Sequence, residues 1–595
     1  MSRIPIKEIK GQPLTPEQTS YLEGLFAGLS NRGVQFADVM ADPAATPAGK
    51  EINLDDLIFE EQVKQKLHPL DAHPQLVANA RDNTAPSKED GFRFKWQGLF
   101  YLSPNKDGFM CRLRIPGGVV KTFQLRELAS VSEELTTGYV QVTTRSNFQL
   151  RLIEPKDAPA LLERIQSVGL HSRGAGGDNI RNLTANPTAG IDPYEVYDVS
   201  ALVKQLSQHI INTRRFYDLP RKFNIALDGG GLIGSVEDTN DIGLKAVKVS
   251  GDGDAVPAGV YFRMKLGGAT GHKSFASDVG VLIRPEELIE VTDAVLRVFI
   301  ANGNRGNRKK ARLKHLLEEW TLEQYMEEVE KLLGRRLIAA PLDEEGRHPW
   351  IEEETLPEVP HSHVGVYPQK QDGLNYVGVA LPVGQITPRQ MMRIADVADN
   401  YGSGEIRLTV WQNLILPNIP DAYVETVKKA LLGMGLDFRQ SHLKSGLIAC
   451  TGNAYCKFAA SNTKGHAAGL AEYLEPRIAL DQPINIHLTG CPHSCAQHYM
   501  GDIGLLGASA KKDGETVEGY HVFVGGGFGK NARIGRQLFK AVAYQDLKPL
   551  MEKLLKAYQS NREEKETFYD FSQRFEVEKL VEMTDAVEVS DEVAA

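Results

Sequence analysis

The chain of 595 residues carries itself twice. The stretch PGGVVKTFQLRELASVSEELTTGYVQVTTRSN, from Pro116, lies on PVGQITPRQMMRIADVADNYGSGEIRLTVWQN, from Pro382, at an offset of 266 and without a gap. The same offset still aligns Gly169-Leu170 with Gly435-Leu436. A second pair follows at an offset of 261, FNIALDGGGLIGSVEDTNDIGL from Phe223 on INIHLTGCPHSCAQHYMGDIGL from Ile484. Copies of about 200 residues are far longer than solenoid repeats. A duplicated module predicts two similar halves about a pseudo-twofold axis. In each copy a period-two segment (YVQVTTRSNFQLRLI, EIRLTVWQNLIL) precedes a segment of helical period (DAPALLERIQSVG, DAYVETVKKALLGMG). The pattern predicts mixed layers of helix and sheet.

The expected architecture is α+β, internally duplicated, with three domains. Residues 91–160 and 360–425 pair across the axis, and residues 161–345 and 426–575 each form an α/β domain. Residues 1–90 read as an extension, with a helix start at Thr15, Pro16 and Gln18 and a linker over Ala41–Gly49. Residues 576–595 read as an acidic tail that frays.

Net charge −9 and a pI near 6 argue against a nucleic-acid binder. No apolar run approaches the ~18 residues of a membrane span. The start, MSRIPIKEIKGQ, has no apolar signal core. A cytoplasmic protein is expected, and a monomer. Five cysteines in such a compartment are not a disulfide framework.

Four of the five, Cys450, Cys456, Cys491 and Cys495, lie in the second copy alone. Gly230 and Gly234 stand opposite Cys491 and Cys495, and Leu183 opposite Cys450. Packing gives no reason for such a set. The pattern is C-x5-C, thirty-four residues, then C-x3-C. Pro492 suits the first position of a helix, which would put both sulfurs of the second pair on one helical face. Four thiolates suit a [4Fe–4S] cluster or a zinc ion, with buried thiols as the bland alternative. Cys111 has no sequence partner and reads as a small core residue.

The first copy instead carries cations at strand positions. In FMCRLRIPGG, Arg112 and Arg114 share a face; in VTTRSNFQLR, Arg145 shares one with Arg151; in RKFNIALDG, Lys222 shares one with Asn224. The second copy has Trp411 opposite Arg145 and Pro483 opposite Lys222. Cations present in one copy and replaced in the other point to an anion pocket. The run NRGNRKKARLKH, Asn304–His315, is either a solvated helix face or a polyanion clamp. The glycine clusters DGGGLIG and VGGGFGKNARIG do not make a dinucleotide fingerprint.

At these residues the chain resembles the siroheme- and [4Fe–4S]-containing nitrite and sulfite reductases, above all the ferredoxin-dependent assimilatory nitrite reductases. TGNAYCKFA and TGCPHSCAQ carry the resemblance, with VTTRSNFQ, DNIRNLTANPTAGID and NRGNRKKARLK, over about residues 90 to 570. It implies ferredoxin-like half-domains in the paired domain, a siroheme and substrate site in 161–345, and a cluster in 426–575. It implies that Cys450, Cys456, Cys491 and Cys495 hold the cluster, with Cys495 also against the siroheme iron. Asn307, Arg308, Lys310 and Arg312 would serve the siroheme carboxylates, and Arg112, Arg145, Lys222 and Asn224 the substrate.

Sulfite reductases of the family tend to Lys-x-Lys where this chain has Lys222-Phe223-Asn224. Sulfite is largely a dianion and nitrite a monoanion, and an unmatched charge in a dry site is costly. One fewer cation suits nitrite. The resemblance therefore implies six-electron reduction of nitrite to ammonia, with ferredoxin as donor. The alternatives are sulfite reduction to sulfide and a non-catalytic cluster- or zinc-bearing protein.

Overall fold

The computed structural model describes residues 54–589 except 103–105, 253–255, 358–362 and 440, together with Glu8, Ile9, Gln12, Pro13 and Thr15. Most of the helix start expected after Thr15, the linker 41–49 and the end of the acidic tail lie outside the described residues. Two compact units divide the chain, residues 1–56 and 57–595. In the first, Glu8–Ile9 pairs antiparallel with Gln12–Pro13.

In the larger unit, two five-stranded sheets come from the strand-rich starts of the copies. One runs Leu99–Tyr101, Phe109–Arg112, Phe148–Ile153, Val140–Val142 and Gln385–Ile386. The other runs Gly365–Pro368, Leu374–Val379, Leu414–Pro420, Glu405–Leu408 and Val119–Lys121. The last strand of each sheet comes from the other copy. Gln385 pairs with Gln141, and Lys121 with Glu405. Val119 and Gln385 are themselves related by the offset of 266, so the exchange is reciprocal.

The helices that follow, Thr122–Leu135 and Pro388–Tyr401, pack on one another. Arg126 spans them to reach Asp396 and Asp399. Both sheets share one core, with Val120, Val140 and Phe148 in contact with the same apolar mass as Val377, Ile406 and Leu416.

The remainder of each copy builds its own sheet. The first is ordered Thr184–Ala185, Ile225–Asp228, Ile242–Val249, Gly259–Leu266, Ser277–Ile283, Ile338–Ala339. The second is ordered Leu447–Ala449, Ile486–Thr489, Ile503–Lys512, Glu515–Val524, Arg536–Ala543. In both, the first three strands are parallel and the rest antiparallel. Each sheet has its own core, and Trp411, Ile415, Ile191, Ile233 and Ala496 form a small junction between copies.

Three expectations change. Val577–Asp585 is a helix and not a frayed tail, because Val577, Leu580, Val581 and Thr584 recur at helical spacing and face the second core. Residues 57–90 belong to the larger unit, where Lys64 joins Glu61 to Asp218. The strand alternation does not extend to Arg145. Thr143 to Asn147 is a tight turn closed by Thr143 N to Asn147 O at 3.0 Å, with Ser146 at φ 48°. Its counterpart, Thr409 to Asn413, repeats the turn with Gln412 at φ 60°.

Candidate functional site

Both cysteine motifs leave the C-terminal ends of neighbouring parallel strands. Cys450 follows Leu447–Ala449, and Cys491 follows Ile486–Thr489 one glycine later. This end of a parallel sheet is where open α/β folds gather their ligands. The expected helix at Pro492 does not form. Cys491 to Gln497 is two successive turns, Ser494 N to Cys491 O and Gln497 N to Ser494 O, with Ser494 and Gln497 in the left-handed region. Those residues halt a helix after one turn.

The four thiols act on one another's ionisation. Burial pushes the Cys491 thiol up to about 12, and Cys495, Cys456 and Cys450 each add to the rise. Burial also raises Cys495, followed by Cys450, while Lys222 and Arg112 pull it down. Cys495 is nonetheless exposed. Around one zinc ion at ~2.3 Å, thiolate sulfurs would crowd together. Among the described residues no three His, Cys, Asp or Glu side chains make such a group. Four thiolates are the ligand complement of a [4Fe–4S] cluster and equally of a zinc ion.

Donors surround these sulfurs. Gly490 N–H points at Cys450 Sγ at 3.2 Å. His493 Nδ1 stands 3.4 Å from Cys491 Sγ. The Thr463 hydroxyl donates to Cys450 O at 2.7 Å, with Cys450 Sγ 3.5 Å away. Lys464 is buried nearby, and burial pushes its ammonium down to about 7, with Cys450 the counter-influence. Cys111, by contrast, is a core residue, its thiol pushed up to about 12 by burial.

A set of cations accompanies Cys495. Arg112 lies over the Phe100 ring and reaches Ala175 O at 3.4 Å. Arg145 donates to Asn240 Oδ1 at 3.1 Å. Arg181 donates to Gly177 O at 2.8 Å, and its Nη1 is buried without a partner. Lys222 Nζ has no hydrogen-bond partner among the described residues. Burial comes first among the causes that push Arg145 down to about 10 and Lys222 to about 7, and Arg312 comes second in both. Burial and then Arg112 lower Arg181 strongly. Cys495 opposes the shift at Arg112, Arg145 and Lys222 alike. None of the four has a carboxylate partner among the described ion pairs. Arg181 is buried and Arg112, Arg145 and Lys222 are half-buried; like charges gathered there without counter-ions are costly, and an anion among them would offset that cost.

Asn224 is buried beside this set. Its N–H donates to Asp241 Oδ2 at 2.8 Å, and its side-chain Oδ1 has no partner among the described residues. Arg114, read alongside Arg112, is spent on the carbonyls of Arg173, Arg181 and Ile180.

The basic run divides by role. Arg308 grips the fully buried Asp178 carboxylate through both oxygens, at 2.6 and 2.8 Å. Arg312 grips Asp241 the same way, at 3.1 and 2.7 Å, and acts on Lys222 and Arg145 from there. Asn307 is exposed and caps a short turn by accepting Lys309 N–H. Lys310 is exposed and has no carboxylate partner among the described residues.

The second copy closes the matching place. Trp411, opposite Arg145, stacks on His363 at 5.5 Å and meets Phe528 at 4.9 Å. In turn the first copy fills its cysteine-like loop with a carboxylate. Asp228 accepts Gly230 N–H and Ser235 N–H.

Sequence reasoning missed Arg181, although it stands opposite Ile448 when TANP is laid on TGNA, the same signal that singled out Arg145. It also missed Thr144, which donates to Cys495 O at 3.0 Å and ties the copies together. Lys464 carried no signal, because its burial depends on the half-domain packed over it.

Residues 176–337 and 444–590 match the family model described as nitrite and sulphite reductase 4Fe-4S domain. Residues 101–168 and 367–434 match the nitrite/sulfite reductase ferredoxin-like half domain. The chain belongs to the nitrite and sulphite reductase family. Within it, the chain is 37% identical over 471 residues to a ferredoxin–nitrite reductase of Synechococcus elongatus, covering 78% of this chain and 88% of that one. It is 37% identical to the chloroplastic ferredoxin–nitrite reductase of Zea mays, covering 78% and 81%. Among solved structures, the NirA protein of Mycobacterium tuberculosis superposes with a TM-score of 0.80 at 30% identity, covering 88% of this chain and 97% of that one.

Proposed function

We propose that this chain reduces nitrite to ammonia with electrons from ferredoxin, at a siroheme coupled to a [4Fe–4S] cluster. One observation carries the reading: Thr144, next to Arg145, donates to Cys495 O at 3.0 Å, so the last cysteine lies beside Arg112, Arg145 and Lys222, cations that it offsets and that have no carboxylate partner among the described ion pairs. Sulfur ligands and an anion site, one from each copy, thus lie side by side. Cys450, Cys456, Cys491 and Cys495 would hold the cluster. The polyanionic macrocycle fits the unpaired Arg181 and the exposed Lys310 and Asn307, with Arg308 and Arg312 braced behind by Asp178 and Asp241. When bound, the two groups supply electrons and a Lewis-acidic iron.

The protein's own part is binding and proton delivery. Arg112 and Arg145 hold the anion and offset charge on the departing oxygen. Lys222, with an ammonium pushed to about 7, is matched to giving up a proton to that oxygen near neutrality. Asn224 in place of a further cation supports nitrite over sulfite. A net charge of −9 supports a protein with no nucleic-acid partner. Among the described residues no helix is long and apolar enough to cross a membrane.

The purified protein is expected to show a Soret and a red absorption band. With a chemical reductant it is expected to turn over nitrite with the higher kcat/KM; a higher value for sulfite would overturn the substrate assignment. Ferredoxin-driven rates are expected to fall steeply with salt, and dye-driven rates to stay level.

A further inference from the structure

Lys464 is a lysine almost wholly removed from water, 7% exposed, with no carboxylate partner among the described ion pairs. Its ammonium donates to two backbone carbonyls, Ala449 O at 3.1 Å and Val383 O. Carbonyls satisfy hydrogens but do not cancel a charge, and an isolated buried ammonium is expensive. Among the described residues the group that offsets this cost is the Cys450 thiol, in the residue directly after Ala449. Arg151, a second buried cation, adds repulsion.

Val383 is the second half of the observation. It is β-branched and sits at φ 45°, in the left-handed region. Its counterpart across the offset of 266 is Gly117, at φ 65°. The first copy meets this turn with the residue that bears it without strain. The second copy keeps a strained valine there, and its carbonyl takes the Lys464 hydrogen bond. The next two residues, Gly384 and Gln385, lead into the strand exchanged with the first copy. Lys464 therefore pins the exchanged segment directly behind the first cysteine.

We propose that Lys464 is a potential-setting residue, an internal counter-cation that raises the reduction potential of the cluster held by the four cysteines. The inference rests on the cysteine reading above and goes beyond it. Four thiolates give an oxidised [4Fe–4S] centre a net negative charge, which holds the ammonium protonated, and reduction adds one electron and one more negative charge. No bond forms or breaks at Lys464. A fixed positive charge in a low-dielectric interior favours the more negative, reduced form.

The test is an EPR-monitored redox titration of the holoenzyme. Lys464→Met, similar in length and without charge, is expected to shift the midpoint potential to a lower value. Lys464→Arg is expected to keep the wild-type value. Val383→Gly, which removes the strain and leaves the charge, is expected to keep it too. Should Lys464→Met fold poorly, the double variant Lys464→Met with Val383→Gly relieves the turn that the ammonium supports, and the same downward shift is expected. An unshifted potential in either methionine variant, with a normal iron–sulfur signal, overturns the inference alone. A wild-type protein with no reduced iron–sulfur signal overturns the cysteine reading beneath it as well.

Discussion

Asp241 and Asp502 stand at matching places in the two halves, each accepting the backbone N–H of an asparagine, Asn224 at 2.8 Å and Asn485 at 2.7 Å. Only Asp241 has an arginine across from it, Arg312. Asp502, without an ion-pair partner among the described residues, is pushed up to about 7, chiefly by burial, against the hydrogen bonds from Asn485. In the half that carries the cations the carboxylate is paired with one of them; in the other half the same carboxylate has no such partner among the described ion pairs.

Asp502→Asn should therefore stabilise the protein at alkaline pH. The folded-state pKa is raised, so between about 4 and 7 the native state keeps a proton that the unfolded chain has lost, and stability falls as pH rises through that window. An asparagine still accepts from Asn485 and escapes the penalty. The expected gain is on the order of 1–2 kcal/mol above pH 7, allowing for the water that reaches this half-buried group. Thermal unfolding of both proteins at several pH values should show the gain shrinking toward pH 4.

Lys222 produces the opposite slope. Its folded pKa, about 7 against an ordinary 10.5, means that between those values the unfolded chain holds a proton that the native state has released. Stability of the siroheme-free protein should then rise with pH by at most about 1.4 kcal/mol per unit. Lys222→Met should lose that part of the slope. Equal slopes in denaturant titrations from pH 7 to 9 would count against an empty-pocket cation cluster.

Asn224→Lys adds a cation where the pocket already holds unpaired ones. The relative kcat/KM for sulfite over nitrite should rise, by about tenfold for each 1.4 kcal/mol of better charge matching. A ratio that stays put would mean that this position does not set the choice of anion.

Arg308→Ala leaves the Asp178 carboxylate fully buried and loses its two-pronged partner, with Arg221 remaining at 3.6 Å. Breaking such a pair costs about 3–5 kcal/mol. The denaturation midpoint should fall accordingly, while Lys310→Ala, on the exposed side of the same run, should leave it unchanged.

The duplication, the alternation of strand and helix and the four-cysteine set were legible because each repeats a local pattern that has one structural meaning. Arg145 and Lys222 were legible as cations that the other copy replaces. Local conformation at the site was not. Ser494 and Gln497 take left-handed backbone without being glycine, so CPHSCAQ reads as a helix start and folds as two turns. Nor does a run of bases reveal which of them is already paired: Arg308 and Arg312 answer to Asp178 and Asp241, carboxylates more than seventy residues away in the chain.

The strands Val119–Lys121 and Gln385–Ile386, each completing the other copy's sheet, bind the two copies into a single fate. A fragment cut between them would lack an edge strand and expose the pairing groups of Val140–Val142 or Glu405–Leu408 to any passing chain. One copy could shed its thiols and the other its cations, yet neither could be deleted, because each remains woven into the fabric of its twin.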